Sequence, residues 1–310
     1  MIAFSGGEPT LREDLFELVK FVADEYPLKS TALMTNGLKL ADPNYVKKIK
    51  ESSLIRVIFS FNGFSDKDYE ETNNAKILDI KLKALKNLKE FKVSTSISST
   101  ILRGINEKEI KPIVEYVMDN LDFISELRFR GCAKVGRYDE THPLTHSEIF
   151  DLFAEAFGKD RDYFLKRFSR NDCYHSIQQF LVTFIIDNSK NKKEILGFIY
   201  DAYQKKTIGG KINTINVILK ILFKKGIKKF FQAVIESKIL NFSENYKIRY
   251  NKVNLLFDKL NIKRLDIKVW WWTDKTNLDL DEMKAVGIMH VTHNGKILLM
   301  PDAVIIADEL

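Results

Sequence analysis

Ile2-Ala3-Phe4-Ser5-Gly6-Gly7-Glu8-Pro9-Thr10 decides how the rest of this 310-residue chain is read. The apolar run 1–4 carries a strand signal, and the glycine pair behind it lets a backbone pass close to a ligand. Glu8 can accept hydrogen bonds from an ammonium group. Pro9 fixes the exit from the turn, and Thr10 with Glu13 has capping-box spacing for a helix over 11–26. The turn therefore falls at the C-terminal end of a strand, where α/β sheets and barrels bind ligands. Taken alone, Gly-Gly-Glu would equally suit a helix-entry turn with a surface glutamate.

Outward from this turn, strand and helix signals alternate. Strands are expected at 30–35, 54–61, 93–101 and 126–130, the first two closed by the turn dipeptides Asn36-Gly37 and Asn62-Gly63. Helical periodicity fills 42–51, 75–91 and 107–121 between them. Repeated βα units of this spacing imply a parallel sheet with right-handed crossovers. We therefore expect an α/β fold, a partial (βα) parallel barrel over 1–138. Helical signals at 147–158, 161–168 and 176–186 then lead into a basic stretch, so 139–264 reads as a helical, basic extension. Strands return at 265–272 and 287–300, with Asn294-Gly295 as a hairpin turn, which makes 265–310 a small C-terminal α/β unit.

Composition narrows the function classes. With 45% hydrophobic and 29% charged residues the chain has an ordinary soluble balance. No apolar run reaches bilayer-spanning length and no signal peptide precedes the first strand, so a cytoplasmic location is expected. Its two cysteines, Cys132 and Cys173, lie far apart, which excludes a disulfide scaffold or a CxxC zinc site. A [4Fe–4S] cubane takes three or four thiolates, so no metal-ligand set is expected within the chain.

The net charge of +7 is uneven: 187–264 holds 18 Lys and Arg against 6 Asp and Glu, leaving −5 for the remainder. Within that stretch, 212–234 interleaves Ile215, Leu219, Phe223 and Phe231 with Lys220, Lys224, Lys225, Lys228 and Lys229. Such a helix can rest on an anionic membrane surface, or pack on the barrel with a solvated lysine face; both readings stay open. Nucleic acid is not an expected partner, because no binding motif is present.

The full string FSGGEPTLRED resembles the GGEP motif of radical S-adenosylmethionine (SAM) enzymes. Thr35-Asn36-Gly37 matches the family's T-N-G strand end. Ile58 to Gly63 resembles its S-L-D-G strand, with Asn62 in place of aspartate. The resemblance implies that Gly6, Gly7, Glu8 and Pro9 hold the methionyl amine of SAM. It further implies that Asn62, Ser98 and Arg128 contact ribose or carboxylate. Plain readings remain for each: an Asn-Gly turn, a half-buried strand, an arginine at a strand end. Arg128 and Arg130 share one strand face and need an anion, for which a SAM carboxylate or an acidic substrate would serve. No catalytic residue is assigned.

The order of motifs further on resembles archaeal radical SAM proteins related to the pterin methyltransferases and tetraether-lipid synthases. A small-molecule, pterin-like or lipid substrate is the implied class. Those relatives carry auxiliary-cluster cysteines where this chain has Ala285-Val286-Gly287 and Met300-Pro301-Asp302-Ala303. The family's CxxxCxxC cluster motif belongs ahead of the GGEP turn, so the chain reads as a truncated radical SAM enzyme, its [4Fe–4S] cluster expected only in a full-length form. The alternative is a degenerate, non-catalytic barrel acting as a SAM- or membrane-binding partner subunit. Trp270-Trp271-Trp272 is expected to pack on both faces of a strand, and His290 and His293 to be structural.

Overall fold

Strand-forming runs and amphipathic helices alternate from the first residue, and the computed structural model orders them as the spacing requires. It describes residues 2–27, 30–132, 144–165, 169–170, 179–189, 193–199, 208–237, 255–270, 289–291 and 297–299. In chain order the first half comprises β1 (Ile2–Phe4), α1 (Leu15–Glu25), β2 (Thr31–Thr35), α2 (Pro43–Glu51) and β3 (Arg56–Ser60), then α3 (Asp66–Asn73), α4 (Leu78–Glu90), β4 (Thr95–Ile101), α5 (Ile110–Asp119) and β5 (Ile124–Gly131). There follow α6 (His146–Ala156), α7 (Arg161–Leu165), β6 (Ser169–Arg170), β7 (Gln179–Asp187), β8 (Glu194–Ile199), α8 (Ile208–Lys225), α9 (Ile227–Ser237) and β9 (Ile262–Trp270). The hairpin strands β10 (Met289–Val291) and β11 (Ile297–Leu299) come last.

Among the described residues one sheet runs β1-β2-β3-β4-β5-β9-β7-β6, with β8 also paired to β7. It is parallel from β1 through β5 to β9 and antiparallel from β9 to β7, β6 and β8. The fold is thus α/β with a mainly parallel sheet, in keeping with a partial (βα) barrel.

Period-two alternation separates the two faces of this sheet. Leu33, Val57, Phe59, Ile97, Leu127, Phe129, Phe184 and Ile267 point into a single apolar core. Val19 of α1, Ile49 of α2, Leu85 and Leu88 of α4, Val117 of α5 and Phe153 of α6 pack into the same core. The opposite face is polar: Ser96, Ser98, Glu126, Arg128, Thr183 and Asp266 are all buried there. Its charged members are paired with one another within the sheet, as buried charges must be.

Three local expectations are corrected. Residues 176–186, expected as helix, contribute β7, which pairs on both sides with β8 and β9. Val182 to Ile186 are buried on both faces of the sheet, and a continuous apolar run of that length looks alike in a buried strand and a buried helix. The basic extension also supplies β8. Finally, α1 begins at Leu15 instead of 11: Pro9–Leu11 forms a separate 3-10 turn whose N-cap is Glu8. The Thr10 hydroxyl donates to Glu8 and forms no capping box with Glu13. The helix α3 carried too little apolar pattern to be read; Ser65 caps it by accepting from the Asp68 N–H.

Gly37 sits with φ +80, and a Cβ there would overlap the ring of Phe59. Positive φ and overpacking both oppose a side chain, so Gly37→Ala is expected to lose about 2–4 kcal/mol of stability in urea unfolding. Gly104 has a similar φ of +75 but nothing within 4 Å of a Cβ. Gly104→Ala is therefore expected to lose only about 1 kcal/mol, which isolates the ring clash.

Candidate functional site

The turn leaving β1 is open on one side. Gly6 has φ +124, a conformation L side chains avoid, and a Cβ on either Gly6 or Gly7 would meet nothing within 4 Å. Glu8 behind them is tied down at the adjacent strand end. Its Oε1 accepts from Thr10 N (3.1 Å), Thr10 Oγ1 (2.6 Å) and Thr35 Oγ1 (2.6 Å), and its Oε2 accepts from Asn36 N (2.7 Å). One carboxylate thus clasps the C-terminal ends of β1 and β2. Oε1 is saturated, while Oε2 carries one donor and keeps capacity for a cation.

A second clasp comes from α4. Lys81 is 3% exposed, and its Nζ donates to the carbonyls of Asn36 (2.8 Å) and Ser60 (2.7 Å), at the ends of β2 and β3. The ammonium also lies over the rings of Phe59 (5.4 Å) and Tyr69 (5.5 Å). Burial lowers its pKa to about 8, against the opposing pull of Glu8. Within the helical period over 75–91, Lys81 is one lysine among several. The signal was its position: three and four residues before Ala84 and Leu85, it lies on the apolar stripe.

Asn62 and Ser98 stand at the next strand ends. Asn62 Oδ1 accepts from Thr100 N (3.1 Å), and Asn106 Nδ2 donates to the carbonyls of Asn62 (2.9 Å) and Thr100 (3.0 Å). The Asn62 N–H donates to the Tyr69 hydroxyl (3.1 Å), whose pKa burial raises. Asn106, fully buried, is therefore the residue that locks this loop. Ser98 is buried in register with Ser60 on one side and Arg128 on the other.

Arg128 belongs to a charged cluster. Glu126, 1% exposed, receives Arg56 Nη1 (2.7 Å), Lys268 Nζ (3.2 Å) and the Nε of Arg128. Burial pushes the Glu126 carboxyl up, but Lys268, Arg128 and Arg56 outweigh it and hold the group at about 2. The anion that Arg128 needs is thus supplied within the chain. Arg130 lies one pleat nearer the C-terminal end of β5, where its Nε donates to Thr100 Oγ1 (3.0 Å). Burial and then Arg128 lower its pKa. Glu126, Arg56 and Lys268 were not legible as a unit, because they come from strands far apart in sequence.

Other candidates are only partly placed. His290 pairs in register with Leu298 in the β10–β11 hairpin. Trp270 closes β9, whereas Trp271, Trp272, His293, Cys173, the Asn294-Gly295 turn and the segment 133–143 lie outside the described residues. Among the described residues no three His, Cys, Asp or Glu side chains gather as a metal site.

The open glycine turn lies at the C-terminal edge of a parallel sheet, the place where α/β proteins bind ligands. Residues 1–117 match the family model described as the Radical SAM superfamily. The 7,8-dihydro-6-hydroxymethylpterin dimethyltransferase of Methanocaldococcus jannaschii is 39% identical over 140 residues, covering 45% of this chain and 28% of the relative. The GTP 3',8-cyclase of Clostridium perfringens is 28% identical over 154 residues, 50% of this chain and 46% of the relative. The chain spans less than half the length of these curated relatives. Among solved structures, a domain of a pyruvate-formate lyase-activating enzyme from Bacteroides vulgatus aligns with TM-score 0.41 and 15% identity, over 50% of this chain and 94% of that one.

Proposed function

We propose that this chain is the SAM-holding part of a radical SAM enzyme. The observation that carries the reading is the open face over Gly6 and Gly7 beside Glu8 Oε2, at the end of a parallel sheet. A methionyl ammonium fits there as the missing donor to Oε2, and the glycines leave the space its chain would fill. The Thr10 and Thr35 hydroxyls hold the carboxylate at fixed height. Asn62 would meet the ribose through its amide nitrogen, since Oδ1 is engaged by Thr100. Ser98 would lie deeper along the same face, and Arg128, whose charge Glu126 already balances, would serve the ribose and not a carboxylate.

In radical SAM chemistry the cofactor, beside a reduced [4Fe–4S] cluster, supplies a hydrogen-abstracting radical. The residues of this chain do not fit the cluster itself. Two cysteines cannot furnish the three or four thiolates that a cubane takes, and no step is derived through one. The chain's own work is to orient SAM and to keep the strand ends rigid. A pterin-like or lipid small molecule is the substrate class we propose, supported for the pterin by the name of the 39%-identical relative. The second reading, a SAM-binding partner subunit without catalysis, is favoured by the same cysteine count.

Glu8→Gln tests the binding role common to both. It keeps an acceptor for the Thr10 and Thr35 hydroxyls but replaces Oε2 by an NH2, which loses both the charge facing the ammonium and the acceptor for the Asn36 N–H. Equilibrium dialysis with labelled SAM is expected to show about tenfold weaker binding, the scale of a charge-assisted hydrogen bond. Unchanged affinity would remove Glu8 from the site. Anaerobic reconstitution with iron and sulfide then separates enzyme from subunit: a cubane spectrum with SAM cleavage only in a longer form supports the enzyme.

A further inference from the structure

Helices α8 and α9 carry a surface that the radical SAM reading does not use. Val217 and Ile221 of α8 and Ala233 of α9 pack with Leu196 and Ile262 in a second apolar core. A Cβ on Gly197 of β8 would press against Val217, so α8 lies close on the sheet with its rotation fixed. At 100° per residue, Ile215, Leu219 and Phe223 then fall on the far side of α8 with Ile218 on its flank, and all are exposed. Phe223 is 93% exposed. Past Gly226 the stripe continues at four-residue steps through Ile227, Phe231 and Ile235, each exposed by more than half. A soluble helix normally turns charge outward at such positions, and contiguous apolar patches mark interaction sites.

The cations beside the stripe identify its partner. Lys224 pairs with Glu194, and Lys225 with Asp187 at 2.7 Å, so these two serve the fold. Lys220, Lys228 and Lys229 are exposed and have no ion-pair partner among the described residues. We infer that the α8–α9 elbow docks on an anionic lipid surface, with the apolar stripe entering the acyl boundary and these three lysines meeting headgroup phosphates. A protein interface would bury this stripe equally well, but the unpaired flanking cations favour a surface of negative charge. Among the described residues no helix is long and apolar enough to cross a membrane, so the contact is one of lying on the surface. The inference is independent of SAM binding.

Flotation with vesicles tests it. The chain is expected to float with phosphatidylcholine–phosphatidylglycerol vesicles at low salt and to be released at high salt, and not to float with pure phosphatidylcholine. Neutralising Lys220, Lys228 and Lys229 together to Gln should weaken partitioning about a hundredfold, from ~1 kcal/mol per cation near such a surface. The double substitution Phe223→Asp with Phe231→Asp should weaken it about tenfold or more. Both variants alter exposed positions and should unfold at the wild-type temperature, which a melting curve verifies. The inference is overturned by absence of flotation at low salt, by equal flotation on neutral vesicles, or by aspartate variants that bind as wild type. It is overturned too if light scattering shows a lipid-free dimer that the aspartate pair dissociates, since the stripe would then be a self-interface.

Discussion

Glu126→Ala is expected to destabilise the protein by about 3–5 kcal/mol in chemical unfolding, the largest effect of any single side chain on the polar face of the sheet. The reason is the inventory around it. Arg56, Arg128 and Lys268 converge on one buried carboxylate, and removing that carboxylate leaves three cations facing one another out of water. Glu126→Gln keeps the shape and an acceptor oxygen but not the charge, so it should recover only a small part of the loss. The same cluster sets an acid dependence. Its carboxyl titrates at about 2 in the fold, below the ordinary value of 4.5. The stabilisation is therefore fully present above pH 4.5 and is lost as pH falls toward 2. Wild type should lose about 3 kcal/mol over that window relative to Glu126→Gln. A pH-independent difference between the two would show that the three cations do not depend on this charge.

Lys81→Met is expected to change the alkaline behaviour. The Lys81 ammonium titrates at about 8 in the fold, below its ordinary value of 10.5. Its folded form thus carries a burial penalty that is complete below pH 8 and lifts as pH rises toward 10.5. Wild-type stability should rise through that window by about 3 kcal/mol relative to Lys81→Met, whose side chain cannot titrate. The neutral amine still has two N–H groups, one for each of the carbonyls of Asn36 and Ser60. Deprotonation therefore relieves the charge without releasing the strand ends. At neutral pH the methionine variant gains the lifted penalty but leaves two carbonyls unpaired, each costing about 1–3 kcal/mol. These terms nearly cancel, so the pH slope is the diagnostic and the neutral-pH stability is not. Parallel melting curves of the two proteins between pH 7 and pH 10.5 provide the check; parallel lines would contradict the assignment.

The order of strands and helices through β5 was legible because each unit carried its own period and its own turn dipeptide, as in Leu33 to Gly37 and Phe59 to Gly63. The β7 segment was not, because Gln179–Asp187 is apolar almost throughout and only its pairing partners show it to be a strand. The same distinction runs through the site. Gly6, Gly7 and Glu8 form a local motif and were read directly. Their support is nonlocal: Thr35 and Asn36 reach Glu8 from β2, and Lys81 reaches Asn36 from α4. Arg128 reads as needing a ligand anion, yet Glu126, two residues away on the same strand and face, is its first partner. The sheet register brings Arg56 and Lys268 to the same carboxylate. A face of a strand can be read from alternation, but which charges meet across it requires the register.

The central claim is that SAM is held at the glycine turn of β1. Titrating SAM into the isotopically labelled chain and following the backbone amides of Gly6, Gly7 and Asn36 tests it most directly. Saturable shifts at these three amides, absent from α9 and lost in Glu8→Gln, are the predicted result. Saturation without shifts at the turn, or shifts unaltered by Glu8→Gln, would contradict it.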